Sequence, residues 1–255
     1  MEAVITPSVD SGKSSLRLNK AIAHAGLASR RAADALIAEG RVTVNGEIVL
    51  DAGRRVALTD AVTVDGQKIS LPADGDKTCL MVNKPIHVVS TANDPQGRKT
   101  ILDILPDSYA PKRLYPVGRL DYFSEGLLLV TDDGDLTLRL THPRYHLPRV
   151  YHVTLREKPD ADALKIMREG MTLSGGERLA PVRVRLPDTR ETVLEMTLRQ
   201  GVNRQIRRMC QDLSLTILRL VRVSFGPLHL GNLASGTARP LSGAEIAALK
   251  NAVGL

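Results

Sequence analysis

Asp121 lies in the run Gly118-Arg119-Leu120-Asp121-Tyr122-Phe123-Ser124-Glu125-Gly126-Leu127-Leu128-Leu129-Val130-Thr131-Asp132-Asp133-Gly134, a loop that leads a carboxylate directly into an apolar strand and a turn. Beside apolar chain, a carboxylate serves as nucleophile or proton acceptor only if something keeps it ionised. The segment Asn203–Leu213 offers a cation for that purpose. Its residues Ile206, Met209, Cys210 and Leu213 follow the i, i+3, i+4, i+7 spacing, so at about 100° per residue they share one buried helix face. Arg207 flanks this face, whereas Arg204 and Arg208 are expected to point farther away. Arg207 is thus the arginine of this helix best placed to reach a partly buried carboxylate, and a cation within about 4–6 Å favours the ionised form. The plainer use of Arg207 is to cover the helix edge with its aliphatic stem.

Tyr151 alternates with Val153 and Leu155, which puts its ring on their apolar side of a strand. By default such a tyrosine is core packing with a satisfied hydroxyl. The chain has only seven Phe and Tyr residues and no Trp, and six of them (Tyr109, Tyr115, Tyr122, Phe123, Tyr145, Tyr151) crowd around Asp121. From Arg199 to Arg222 the basic residues Arg199, Arg204, Arg207, Arg208, Arg219 and Arg222 face a single acid, Asp212. Together with Lys84, Arg98 and Arg119 they suggest a groove that holds phosphates.

The elements that must position these groups fall into two folding units, the natural expectation for 255 residues. Residues 1–15 mix Ser, Gly, Pro and single charges without periodicity and read as a mobile tail. Within residues 16–69, Leu18, Ile22 and Ala25 fit one helix face that Gly26 ends. Ser29 is placed to cap a second helix carrying Ala33, Leu36 and Ile37, which Gly40 stops. Two hairpins follow, turning at Asn45-Gly46 and at Asp65-Gly66. Residues 70–77 read as a linker. Residues 78–255 open on the strand Cys79–Asn83, ended by Pro85, with further strand signals at 127–131, 150–155, 182–186, 193–199 and 217–223. Helical stretches lie between some of these, which predicts an α+β domain with a mixed, largely antiparallel sheet. Ser242 and Glu245 form a plausible capping box for a final helix.

A net charge of +7 favours an anionic partner. No apolar stretch of about 18 residues is present and no charged segment followed by an apolar core opens the chain, so the expectation is a cytoplasmic protein away from the membrane. Cys79 and Cys210 have neither metal-ligand nor disulfide spacing and read as core residues.

Residues 16–69 resemble the alpha-L RNA-binding module of a small-subunit ribosomal protein, through Leu18-Asn19-Lys20-Ala21, Ala28-Ser29-Arg30-Arg31-Ala32-Ala33 and Gly40-Arg41-Val42-Thr43-Val44-Asn45-Gly46. The resemblance implies RNA contacts at Lys20, Arg30, Arg31 and Arg41. Physical chemistry agrees for two of them. Arg30 and Arg31 follow the Ser29 cap, where a helix dipole disfavours a cation by about 0.3–1 kcal/mol, and a phosphate bound there would reverse that cost.

The larger segment resembles ribosomal RNA pseudouridine synthases of the RsuA/RluB type. The resemblance runs through Asn83-Lys84-Pro85, Ser90-Thr91 to Asp94 with Gly97-Arg98, the Asp121 loop, His142-Pro143, the Tyr151 strand and Asn203-Arg204-Gln205-Ile206-Arg207-Arg208-Met209. It implies isomerisation of uridine, with Asp121 as catalytic carboxylate, Tyr151 against the base and Arg207 as partner of the aspartate. It also implies RNA contacts at Lys84, Arg98, Arg119, Arg204 and Arg208. The partner would be ribosomal RNA or a ribosomal assembly intermediate, and no metal or other cofactor is needed. His87 departs from the pattern, standing where the family usually has glycine. The closing Arg219–Pro227 run resembles the large-subunit enzymes more than the small-subunit ones.

Two other readings compete. A glycosidase would need a second carboxylate about 5–9.5 Å from Asp121, and Asp132, Asp133 and Asp135 lie one strand too late. A non-catalytic ribosome-associated protein would have no use for Asp121, Tyr151 and Arg207 together.

Overall fold

The computed structural model describes residues 15–70, 77–187 and 192–255. The tail expected at the N-terminus and most of the expected linker lie outside these residues. The chain divides between Asp76 and Lys77 into two compact units.

In the smaller unit, β1 (Ser15–Arg17) leads into α1 (Leu18–His24) and α2 (Arg30–Ala38). The strands β2 (Val42–Val44), β3 (Glu47–Ile48), β4 (Arg55–Ala57), β5 (Val62–Val64) and β6 (Gln67–Ile69) follow. β1 takes Ser15, which composition alone assigned to the tail. Ser29 accepts a hydrogen bond from the Ala32 amide at the start of α2 and satisfies one of its free N–H groups. Both hairpins turn where their sequences require. Asn45-Gly46 and Asp65-Gly66 all have positive φ, the geometry that matches the twist of the flanking strands. The strand order is β3-β2-β5-β6, and Leu18, Ile22, Ile37, Val42, Val56 and Val62 form a core with no solvent-exposed surface to speak of.

The larger unit is built on β7 (Cys79–Lys84), β8 (Tyr115–Val117), β9 (Glu125–Thr131), α3 (Gly134–Thr141), β10 (Arg149–Leu155) and α4 (Ala161–Glu169). Its second half holds β11 (Arg183–Arg185), β12 (Val193–Leu198), α5 (Gln205–Asp212), β13 (Ile217–Phe225), β14 (Leu228–His229), β15 (Ala238–Pro240) and α6 (Gly243–Ala252). The sheet runs β11-β12-β10-β13-β9-β7-β15, with β14 beside β13 and β8 beside β9. It is an α+β domain whose mixed sheet is largely antiparallel. Cys79, Met81, Leu127 and Leu129 enter the core under α3 and α6, while Leu80, Val82, Leu128 and Val130 enter a second core on the other face. Covered on both faces, β7 and β9 need apolar residues along their centres, so residues 79–82 and 127–130 run unbroken instead of alternating. Ser242 and Glu245 form the capping box of α6. Cys79 and Cys210 are free and buried, and burial pushes their thiols up to about 11 and about 12.

Among the described residues β9 and β13 make the one parallel pairing of this sheet, and it spans only Val221 with Glu125 and Arg222 with Gly126. This seam joins the two halves of the domain directly below the Asp121 loop. Gly126 has φ +102°, and a methyl group there would collide with the Arg222 carbonyl oxygen and lie 2.8 Å from its nitrogen. Only glycine lets the two backbones approach so closely. Gly126→Ala should therefore destabilise the larger unit by about 2 kcal/mol or more in urea unfolding. A loss under about 0.5 kcal/mol would show that the seam relaxes freely.

Candidate active site

The loop of residues 118–124 leaves β8 and enters β9, and donors from four different places hold its backbone. Ser90 Oγ donates to the Leu120 carbonyl (2.8 Å) and also accepts from the Leu120 amide (3.1 Å). Lys84 Nζ donates to the carbonyls of Asp121 (3.1 Å) and Ser124 (2.8 Å), and the Ser124 amide also donates to the Asp121 carbonyl. The His87 amide donates to Tyr122 O (2.8 Å), and Arg207 donates to Phe123 O (2.9 Å) and Ser124 Oγ (3.1 Å). Five successive carbonyls from Leu120 to Ser124 are thus each engaged.

This arrangement corrects the expectation for Lys84. It is not an RNA-facing cation: its side chain is 0% exposed and its ammonium is spent on the carbonyls of Pro85, Asp121 and Ser124. The apolar run Cys79–Val82 continues inward to Lys84, so carbonyls replace water as its acceptors. Burial pulls its pKa down to about 8, opposed by the charges of Asp121 and Glu125. His87 adopts φ +63°, so it takes up the left-handed conformation for which glycine is the usual residue. Histidine tolerates this at modest cost, and the turn keeps the amide that holds Tyr122. The His87 ring also packs on Tyr122 and Phe123, with centroids 5.1–5.5 Å apart among the three. Phe123 is 58% exposed.

The Asp121 carboxylate is 31% exposed and faces two arginines, Arg204 Nη1 at 3.5 Å and Arg207 Nε at 3.6 Å from the same oxygen. Arg207 behaves as its helix face suggests. The expectation that Arg204 points away is wrong, because Arg204 precedes the helix: it is the cap residue of α5, with φ +51° and ψ +29°, and the helical spacing does not apply to it. Burial pushes Arg207 below its ordinary pKa, the Asp121 charge opposes this, and the Arg204 charge adds to it. Arg207 Nε has no hydrogen-bond partner among the described residues, and neither does the buried Oε1 of Gln205.

The carboxylate opens on a cavity of about 300 Å³, at the small end of ligand sites. Tyr151 lines it and touches the cores on both sides of the seam. Asp121 is the only acid in the cavity wall among the described residues. Asp132 instead accepts from the Thr78 amide, and Asp133 caps α3. Arg119 and Arg204 are exposed at the wall. Other expected RNA contacts already hold acids: Arg41 grips Asp65 and Glu39, Arg98 grips Asp94, and Arg208 pairs with Glu177 at 2.6 Å. The Arg98 contacts hold the Asp94 carboxyl down at about 2. In the smaller unit Arg30 and Arg31 are exposed in the first turn of α2, and Lys20 is half-buried on α1. Sequence reasoning missed Arg149, Gln200 and Phe225 in the cavity wall. Alternation with Tyr151 could have found Arg149, two residues earlier on the same strand.

The sheet thus presents a loop carboxylate between two guanidiniums at a cavity with a tyrosine in its wall, and among the described residues no second acid lines that cavity, as a glycosidase would require. Residues 78–212 match the RNA pseudouridylate synthase family, and residues 16–62 match the S4 domain. The chain belongs to the RNA pseudouridylate synthase family, and it is an RNA pseudouridine synthase. It is 40% identical over 243 residues to an uncharacterised RNA pseudouridine synthase of Aquifex aeolicus, covering 94% of this chain and 96% of the relative. It is 36% identical over 238 residues to ribosomal large subunit pseudouridine synthase B of Bacillus subtilis, covering 92% and 95%. A pseudouridylate synthase crystal structure aligns with a TM-score of 0.66 at 31% identity, covering 92% of this chain and 99% of that one.

If Lys84 supports the loop from inside, Lys84→Met should lower the single-turnover rate about 100-fold, as a misplaced catalytic group does, with RNA affinity within twofold of wild type. An affinity loss equal to the rate loss would return Lys84 to the RNA surface. The unfolded chain keeps this proton to about pH 10.5 and the folded one only to about 8, so between those values the unfolded state binds more protons. Wild-type stability should accordingly rise with pH across that window relative to Lys84→Met, by up to about 3 kcal/mol.

Proposed function

We propose that this enzyme converts a uridine of large-subunit ribosomal RNA to pseudouridine in the cytoplasm, acting on free ribosomal RNA or a ribosomal assembly intermediate, with Asp121 as its catalytic carboxylate. The observation that carries the reading is the placement of Asp121: among the described residues the only acid of a nucleobase-sized cavity, on a loop held at each carbonyl from Leu120 to Ser124, between Arg204 and Arg207. The name of the Bacillus subtilis relative supports the large-subunit assignment.

The reaction breaks the N1–C1′ bond, turns the uracil and joins C5 to C1′, with no external donor. The site must hold a charged carboxylate at the sugar, retain the detached base and remove the C5 proton. Asp121 takes the first role, at C1′ or at the neighbouring sugar proton. Tyr151 packs on the base. Arg207 and Arg204 face the carboxylate and orient it, and Arg207 ties the loop to α5 through Phe123 and Ser124. The target nucleotide must leave its stack to enter the cavity, and the rings of His87, Tyr122 and Phe123 offer neighbouring bases a surface for stacking. Arg119 and Arg204 face the phosphates at the cavity mouth, and Lys20, Arg30 and Arg31 hold RNA on the S4 domain.

Asp121→Asn should abolish pseudouridine formation in mapped ribosomal RNA and keep RNA affinity within twofold, and neither protein should release free uracil. Persistent pseudouridine in the variant would overturn the assignment. Replacing both Arg30 and Arg31 by Ala should weaken RNA binding and reduce the slope of log affinity against log salt by about 2. An unchanged slope would mean that these arginines meet no phosphate.

A further inference from the structure

Strand β10 pairs with β13 so that Arg149 faces Phe225 and Tyr151 faces Arg222, with a register shift between Val150 and Tyr151. In a regular ladder Arg222 and Phe225, three residues apart, would point to opposite faces of the sheet. The bulge absorbs one residue of β13 and turns both inward, as bulges beside functional sites do. Arg149, Tyr151, Arg222 and Phe225 consequently all line the cavity. The two guanidiniums lie over the Phe225 ring at 5.6 Å and 5.3 Å.

These cations are unlike the pair at Asp121. Arg222 is 3% exposed, and its one side-chain hydrogen bond among the described residues uses Nε to reach the Leu127 carbonyl at 2.7 Å. Arg149 makes a single long contact, 3.4 Å to the Gln200 carbonyl. Neither meets a carboxylate among the described residues. Burial pushes the Arg149 guanidinium below its ordinary value, and the Arg222 charge adds to this against an opposing contribution from Tyr151. Two neighbouring cations, one buried and one half-buried, with no counterion among the described residues are unfavourable for the fold alone. An anion that enters the cavity would relieve this. A backbone phosphate is ill suited, since it must stay with the chain outside, whereas Arg222 is reached only by a group fully inside.

We infer that Arg149 and Arg222 stabilise the uracil anion that leaves the ribose during the reaction. The inference rests on the assignment of this cavity to the target uridine. When N1–C1′ breaks, the bond pair departs on N1 and its charge spreads to O2 and O4. This holds whether Asp121 bonds to C1′ or removes a sugar proton. The guanidinium N–H groups meet those oxygens, and having two of them lets the anion keep a donor while it turns. The C5=C6 π pair of the anion then forms the C5–C1′ bond, as Asp121 leaves C1′ with its own bond pair or as the deprotonated sugar regains its proton; loss of the C5 proton restores the double bond and the N1 pair takes a proton, so no oxidant or co-reactant enters. Preorganised donors aimed at developing charge are a large source of rate enhancement.

The test uses the full-length protein and an RNA fragment carrying the mapped uridine, with either uridine or 5-fluorouridine at that position. Fluorine stabilises the departing anion, so bond cleavage depends less on the protein's cations. Consumption of the nucleoside is followed in nuclease digests under single-turnover conditions. Arg149→Gln is expected to slow uridine by about 100-fold and 5-fluorouridine by less than about tenfold, with RNA Kd within twofold. Equal slowing of both substrates, or a rise in Kd that matches the rate loss, would overturn the inference; the second result would point to phosphate anchoring. Arg149→Lys, which keeps the charge and stem, guards against a folding defect and should recover at least about a tenth of the uridine rate. A lysine variant as slow as the glutamine variant, with a wild-type melting curve, would also overturn it. A wild-type protein that left uridine unchanged would instead overturn the reading of the cavity itself.

Discussion

The structure depends on the immobilisation of one short loop against donors that arrive from the rest of the domain. Each carbonyl from Leu120 to Ser124 is spoken for by Ser90, Lys84, His87 or Arg207. These donors belong to β7, to the turn after it, to the segment that follows and to α5, so the loop has one position only when all four are in place. Removal of Lys84 would leave the buried Ser124 carbonyl without a partner, which is costly. A carboxylate must approach a sugar carbon to within a few tenths of an ångström of its reacting position, and this wiring supplies the rigidity.

Charge follows from the same geometry. Arg207 serves the loop backbone with one nitrogen and faces the Asp121 carboxylate with another, so a single side chain both holds the loop and brings a cation to its carboxylate. Its Nε stands at 3.6 Å from the carboxylate oxygen, beyond a good hydrogen bond, and the contact has room to tighten when a substrate excludes water. Across the cavity the bulge turns Arg222 inward beside Arg149, which shares the face of Tyr151 by alternation. The seam at Gly126 and Arg222 connects these two groups, since Arg222 is at once a cavity residue and the backbone neighbour that forbids a side chain at residue 126.

Much of this was legible in the sequence, where local chemistry decides the outcome. The Asn45-Gly46 and Asp65-Gly66 turns, the Ser29 cap and the capping box of α6 depend on neighbours within three residues. The helical spacing of Ile206, Met209 and Cys210 brought Arg207 to the correct side. What failed needed knowledge of distant partners or of backbone angles. Lys84 looks like an ordinary surface cation until carbonyls 37 and 40 residues away are seen around it. Arg204 escapes a helical projection because its own φ is positive. Arg222 and Phe225 share a face only because of a bulge, and no period in the sequence announces one. Asp65, which grips Arg41, and Glu177, which pairs with Arg208, are likewise 24 and 31 residues distant.

The account centres on Asp121 meeting the ribose of a uridine swung into the cavity. The most direct measurement is a structure of the Asp121→Asn variant bound to its ribosomal RNA target. The account predicts the target nucleotide out of its stack, with C1′ within about 3.5 Å of the residue 121 side chain and the base against Tyr151. A nucleotide that remains stacked, or one whose sugar lies away from residue 121, would contradict it.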